Sequence, residues 1–191
     1  MKHELKNEYY ERNIRWSQIA INQLSFFNNL LLSLSVGFLA FAFKPEFLNN
    51  FTPSLNDINW SKSFLMASII FIVIAIILGL ITSIFRLKDF RITRAINQIR
   101  QRTYEHSNIL LDEHTPEKYN RIKRAFILFK KTPEITIEEC KQYTLHTDFN
   151  SRFRDLRNIA HNLGVNSWNY LGCQTIFFCF SIIFYLCSII N

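Results

Sequence analysis

Ile69-Ile70-Phe71-Ile72-Val73-Ile74-Ala75-Ile76-Ile77-Leu78 decides the fold class of this 191-residue chain. These residues form the centre of an uncharged run, residues 64–85, and none of the ten carries a polar side chain. A helix made of them is apolar on every side, whereas a helix at the surface of a water-soluble protein keeps one polar face. The 22 residues of the run reach about 33 Å at about 1.5 Å per residue, enough for a hydrocarbon core of about 30 Å. A buried helix of a soluble protein is the alternative, and the length argues against it.

Two further uncharged runs, residues 24–43 and 168–190, have a similar reach. The first contains Asn28, Asn29, Ser33 and Ser35, with Gly37. Polar residues inside a span face other helices or a water-filled path, so these four are candidates for lining a pore. Hydrogen bonding between helices of one protomer uses the same residue types. The third run carries Gln174 and stops one residue short of Asn191, so it either crosses or packs against the other two. The expectation is an all-α membrane protein with two to three transmembrane helices and a small cytosolic helical bundle.

Charge orients the spans. Of the 22 Lys and Arg, 16 lie between Arg86 and Arg157 and four in the N-terminal arm, leaving Lys44 and Lys62 beside the short connection 44–63. Lys and Arg accumulate on the cytoplasmic side. The N-terminus and residues 86–167 are therefore expected in the cytoplasm, and the connection outside. The +7 net charge suits an anionic leaflet and RNA alike. No cleaved leader is expected, since Glu4, Glu8 and Glu11 precede the first run.

Four parts follow from these patterns. Residues 1–23 read as a cytosolic or interfacial helix with Tyr9, Tyr10 and Trp16 at headgroup level, continuing into the first span. Residues 24–85 form a transmembrane hairpin, 86–167 a basic cytosolic helical domain, and 168–190 a C-terminal apolar helix that is a possible third span. No Gly or Pro follows the second run until Pro116, so its helix is expected to run on to about residue 102. Thr115-Pro116-Glu117 reads as a helix start, with a helix over 117–131 stopped by Thr132-Pro133. A further helix is expected over 136–143, and another over 148–163 with Gly164 as its cap. Cys140, Cys173, Cys179 and Cys187 lack metal-ligand spacing and suggest no disulfide framework. No cofactor or metal is indicated.

On the helix expected over 148–163, Phe149, Phe153, Leu156, Ala160 and Leu163 make one apolar stripe. Arg154, Arg157, Asn158 and His161 fall within about 100° of each other on the opposite side. Exposed polar residues are the ordinary lot of an amphipathic helix. The same set also suits metal-independent RNA cleavage, with His moving the proton of a ribose 2′-hydroxyl and Arg neutralising the phosphate. His106 and His114 flank an expected loop, and His3 and His146 have no partner in sequence. Lys130-Lys131 and the basic residues from Arg121 to Arg124 suit RNA phosphates or an anionic leaflet.

Arg154-Asp155-Leu156-Arg157-Asn158-Ile159-Ala160-His161 resembles the signature of HEPN domains, helical modules in which an Arg followed by a polar residue precedes a His with four to six intervening positions. Arg154, Asp155 and His161 fit with six intervening residues. Arg157-Asn158 matches the Arg-Asn opening but leaves three. Joined to flanking apolar runs, the signature resembles the membrane accessory proteins of type VI-B CRISPR systems. The resemblance implies a homo-oligomeric inner-membrane pore that enhances RNA-targeted anti-phage defence by depolarising the cell. It implies an RNA-guided RNase as functional partner, contact with RNA, and a vestigial RNase signature rather than a full enzyme. Two other functions fit the residues: a membrane-tethered HEPN RNase, and a two-span effector gated by a cyclic nucleotide. The second lacks a Gly-rich phosphate cradle.

Overall fold

The computed structural model describes the backbone of residues 2–42, 60–107, 111, 115–141 and 148–190, and side chains within these from Arg15 onward except 16, 17 and 107. The side chains of His3, Tyr9, Tyr10, Trp16, His114 and His146, and connection residues 44–59, lie outside that description. All regular structure among the described residues is helical: α1 (Lys2–Ala42), α2 (Trp60–Ser107), α3 (Arg121–Ala125), a 3₁₀ turn (Ile127–Phe129), α4 (Ile137–Lys141) and α5 (Phe149–Ile190). Three helices are long and apolar enough to cross a membrane, at Gln18–Ala42 and within α2 and α5. The chain divides into two compact units, Met1–Leu80 with Leu171–Asn191, and Ile81–Tyr170.

The first unit is inside-out by the standard of a water-soluble bundle. Ser35, Ser68, Gln174 and Ser181 are fully buried, while Phe26 is 70% exposed and Ile70, Leu80 and Ile183 are more than half exposed. In hydrocarbon an outward Leu or Ile costs nothing and a polar group without a partner costs several kcal/mol. Ser68 and Ser181 are turned inward as cross-links, whereas Ser35 Oγ and both polar atoms of the Gln174 amide are buried without a hydrogen-bond partner among the described residues. Ser68 Oγ donates to the Ser181 carbonyl at 2.7 Å, and Ser181 Oγ donates to the Ser68 carbonyl at 2.9 Å. Ser61 Oγ donates to the Ser188 carbonyl, and Asn28 Nδ2 reaches the Gly79 carbonyl at 3.5 Å. These pairs, with Phe38 against Tyr185 and Phe71 stacked on Phe184, set α2 antiparallel to both α1 and α5. Gly79 lets the helices approach, because a Cβ there would lie 2.6 Å from both Gln174 Nε2 and Leu32 Cδ2.

The second unit has a conventional aliphatic core. Phe85, Ile92, Ile96 and Ile99 of α2 bury their stripe against Phe149, Phe153, Leu156, Ile159 and Leu163 of α5, with Ile127 and Cys140 closing the cluster. The stripe expected on the helix around 148–163 is thus the one that is buried. The helix does not stop at Gly164. It continues to Ile190, although an interior Gly costs about 1 kcal/mol relative to Ala. Continuation keeps Asn166 and Ser167 on the covered side, where Asn166 Nδ2 donates to the Arg124 carbonyl at 2.7 Å.

The helix expected over 117–131 is replaced by an extended segment, a five-residue helix and a 3₁₀ turn. Asn120, not Thr115, is the N-cap, its side chain accepting from Lys123 N at 2.9 Å. Upstream, asparagines of α5 take the backbone groups that a helix would have used. Asn158 Oδ1 accepts from Glu117 N at 2.9 Å and Asn162 Oδ1 from Tyr119 N at 2.8 Å. Asn162 Nδ2 donates to the Glu117 carbonyl at 2.8 Å and to the Asn158 carbonyl at 2.8 Å. The helix expected over 136–143 is present as α4. A capping box opens it, with Thr136 N donating to Glu139 Oε2 at 2.8 Å and Glu139 N to Thr136 Oγ1 at 3.3 Å.

Asn162→Ala leaves the part-buried Tyr119 N–H and Glu117 C=O without their amide partner. The variant should lose about 1–2 kcal/mol of stability, and the Tyr119 amide should lose protection more than amides of the apolar core. Hydrogen exchange resolved to peptides spanning 115–124 checks this; unchanged protection there would show that the asparagines do not hold the segment.

Candidate functional site

Two surfaces carry the residues singled out from sequence, one in each unit. The first is the face of α1. Asn28 and Ser35 are buried at 3% and 0% exposure, on the side that also buries Leu24, Leu31 and Ala42. Asn29 and Ser33 are exposed. The four pore-lining candidates therefore divide between two faces. Asn28 is a cross-link, and Asn29 and Ser33 point away from the unit's own interior. Arg15 and Asn22 are exposed as well, and at 100° per residue Arg15, Asn22, Asn29 and Ser33 lie within about 40° of one another. Gln18 and Ser25 widen this strip on one side, while Phe26 borders it on the other.

The second surface lies on α5. Arg154 and His161 are exposed, two turns apart, and Arg157 is half-buried. Arg157 is engaged in an interaction within the fold. Asn158 does not join them: it is 4% exposed and committed to Glu117 N. The outward position expected for it gives way because the 115–124 segment covers that edge of the helix. Asp155, the polar member of the Arg154-to-His161 spacing, lies 3.8 Å from Lys130 Nζ. Lys130 also donates to the Tyr119 hydroxyl at 3.1 Å and lies over its ring, so this lysine is occupied by the fold. Arg121, Lys123 and Lys131 are exposed.

His161 lines a shallow cleft of about 420 Å³ with Asp89, Thr93, Gly164 and Trp168. Asp89 is the residue that sequence reading passes over. It is the only carboxylate between Arg86 and Tyr104, and its isolation in a basic stretch is the one signal for it. Its Oδ2 lies 3.7 Å from where a Gly164 Cβ would be, which sets the carboxyl over the turn between His161 and Trp168. Burial pushes its pKa up from 3.8 to about 6, against the opposing pull of Arg86 and a hydrogen bond from Thr93 at 3.5 Å. The cleft thus offers an imidazole and a carboxyl that holds its proton into the mildly acidic range, a pairing suited to proton transfer.

Asp89 lies beyond the apolar run, and its raised pKa has a defined linkage. The neutral form is favoured by folding, so its contribution is full below about pH 4 and is lost as pH rises through about 6. Asp89→Asn should therefore gain stability over wild type as pH rises from 4 to 7, and gain little further above 7. Thermal midpoints of both proteins across that range check the sign, with Arg86 and His161, which flank the group, left in place.

No protein-family profile matches the chain, and neither the curated proteins nor the solved structures contain a chain similar to it.

Proposed function

We propose that the protein is a homo-oligomeric membrane pore. The observation that carries this reading is the polar strip of α1: Asn22, Asn29 and Ser33 are exposed on a helix apolar enough to span, on the side away from the buried Asn28 and Ser35. Against lipid such a strip is unfavourable, so it calls for water or for the same strip of a neighbour. One helix face cannot surround an aqueous path, and closed rings of identical subunits supply the remaining walls. The positive-inside rule orients the pore with its N-terminus and residues 86–167 in the cytoplasm. The resemblance to membrane accessory proteins of type VI-B CRISPR systems supports an inner-membrane location and an anti-phage role beside an RNA-guided RNase. In this reading Arg154 and His161 meet RNA or a neighbouring subunit without cleaving.

Replacing Asn29 and Ser33 together by Leu makes the C-terminal part of the strip apolar without touching Asn22 or the buried face. Liposomes carrying the wild-type oligomer should dissipate a potassium diffusion potential, and the double variant should do so about tenfold more slowly while inserting normally, because an apolar constriction dewets. Tight liposomes with assembled wild-type protein would sink the pore.

A second reading, a membrane-tethered RNase, is favoured by the exposure of His161 in one cleft with Asp89. It requires purified wild-type protein to cut single-stranded RNA and His161→Ala to stop it; intact RNA with the wild-type protein removes this reading.

A further inference from the structure

Within the unit Ile81–Tyr170, a groove of about 900 Å³ runs between α2 and the segment that follows the 3₁₀ turn. Its far wall is fixed at both ends. Lys88 Nζ donates to the carbonyls of Ile127 at 3.3 Å, Leu128 at 2.8 Å and Lys130 at 3.0 Å. Arg152 donates to the Glu134 carbonyl at 3.1 Å and to Glu139 Oε1 at 2.6 Å. Between these anchors the wall is held ready, without ordering cost on binding. Lys88 is consumed by that task, and Lys130 by Tyr119 and Asp155. Arg91, Arg102 and Lys131 also line the groove, with no ion pair among the described residues, and Glu134 is the one carboxylate beside them.

The mouth of the groove has a particular chemistry. Ile84 and Leu87 line it from α2 and are 54% and 65% exposed, and Leu128 lines it from the wall. Ile84 belongs to the last turn of the apolar run. Arg91 stands six residues beyond Phe85, about 9 Å along a helix, near the outer edge of a headgroup layer about 5–7 Å thick and within reach of it for a long side chain. Because Lys88 holds the Lys130 carbonyl, Lys131 is brought to the same end. The lining contains no aromatic ring, so nucleobases have nothing to stack on, which removes the usual basis of single-strand binding. Aliphatic surface leading out of a span and ending in two cations matches a phosphate carried on acyl chains.

We infer that this mouth is a binding site for an anionic phospholipid, its phosphate between Arg91 and Lys131 and its chains along Ile84, Leu87 and Leu128. The site rests on residues 64–85 lying in the membrane and not on the pore, so either can fail alone. Arg102 is 17 residues beyond Phe85, about 26 Å, and lies out of headgroup reach.

The test uses the full chain in detergent micelles, titrated against phosphatidylglycerol with a fluorescent acyl chain and read by anisotropy. Saturable binding is expected, displaced by unlabelled phosphatidylglycerol but not by phosphatidylcholine, glycerol phosphate or a single-stranded oligonucleotide. Arg91→Gln with Lys131→Gln should weaken it about tenfold or more, while Arg102→Gln, and the pair Arg121→Gln with Lys123→Gln, should leave it within about twofold. Equal loss in both double variants would reduce the effect to general surface charge. Displacement by glycerol phosphate or the oligonucleotide, an Arg102→Gln loss as large as that of the Arg91 pair, or absence of saturable wild-type binding would each overturn the site.

Discussion

Hydrocarbon cannot hydrogen-bond, and the arrangement of the first unit depends on that. A serine or asparagine in a span is stabilised by a partner in another helix, although Ser35 Oγ and the Gln174 amide are buried with none among the described residues. Ser68 and Ser181 pair reciprocally, each hydroxyl capturing the other's carbonyl. Asn28 finds its partner at Gly79, where the missing side chain also lets Leu32 and Gln174 close in. The same constraint gives Asn29 and Ser33 their interest. Two polar residues one turn apart face outward there, on the side of α1 that also exposes Asn22, while Asn28 and Ser35 face inward.

The second unit is built on an apolar interior. Its α2 and α5 stripes bury aliphatic side chains, and the polar work falls to amides on another edge of α5. Asn158, Asn162 and Asn166 recur every four residues and hold the 115–124 segment through backbone groups alone. Such a clip specifies where the segment lies without depending on its side chains, which leaves Arg121 and Lys123 at the surface. It also divides the Arg-and-His cluster, since Asn158 cannot serve both as clip and as site. Along α5 the pattern turns over near Leu171: before it, amides and aliphatics are covered, and after it Ile176, Phe180 and Ile183 are exposed. One uninterrupted helix therefore carries two patterns of burial.

The cleft and the groove divide the cations of the second unit by task. Lys88, Lys130 and Arg152 are spent on carbonyls and carboxylates that build the walls. Arg91, Lys131, Arg154 and His161 remain at the surface or lining a depression. Net charge alone merges these groups, and only the inventory of hydrogen bonds separates structural from available charge. Asp89 belongs to neither list in sequence, being one acid among bases, yet its carboxyl is held over α5 with its pKa raised.

By itself the sequence determined that the chain is helical and that three of its stretches can span a membrane, because both follow from local quantities: run length, periodicity and the absence of charge. The aliphatic stripe of α5 was legible for the same reason. What tertiary structure alone decided is which polar residues are occupied. The 115–131 stretch carries plausible helix signals and is extended for its first part because asparagines more than thirty residues away compete for its backbone. Gly164 has the chemistry of a cap and sits mid-helix because covered residues lie on both sides of it. Asn28 and Asn29 are adjacent in sequence and face opposite environments, since a helix turns 100° per residue and only the positions of its neighbours say which direction is inside.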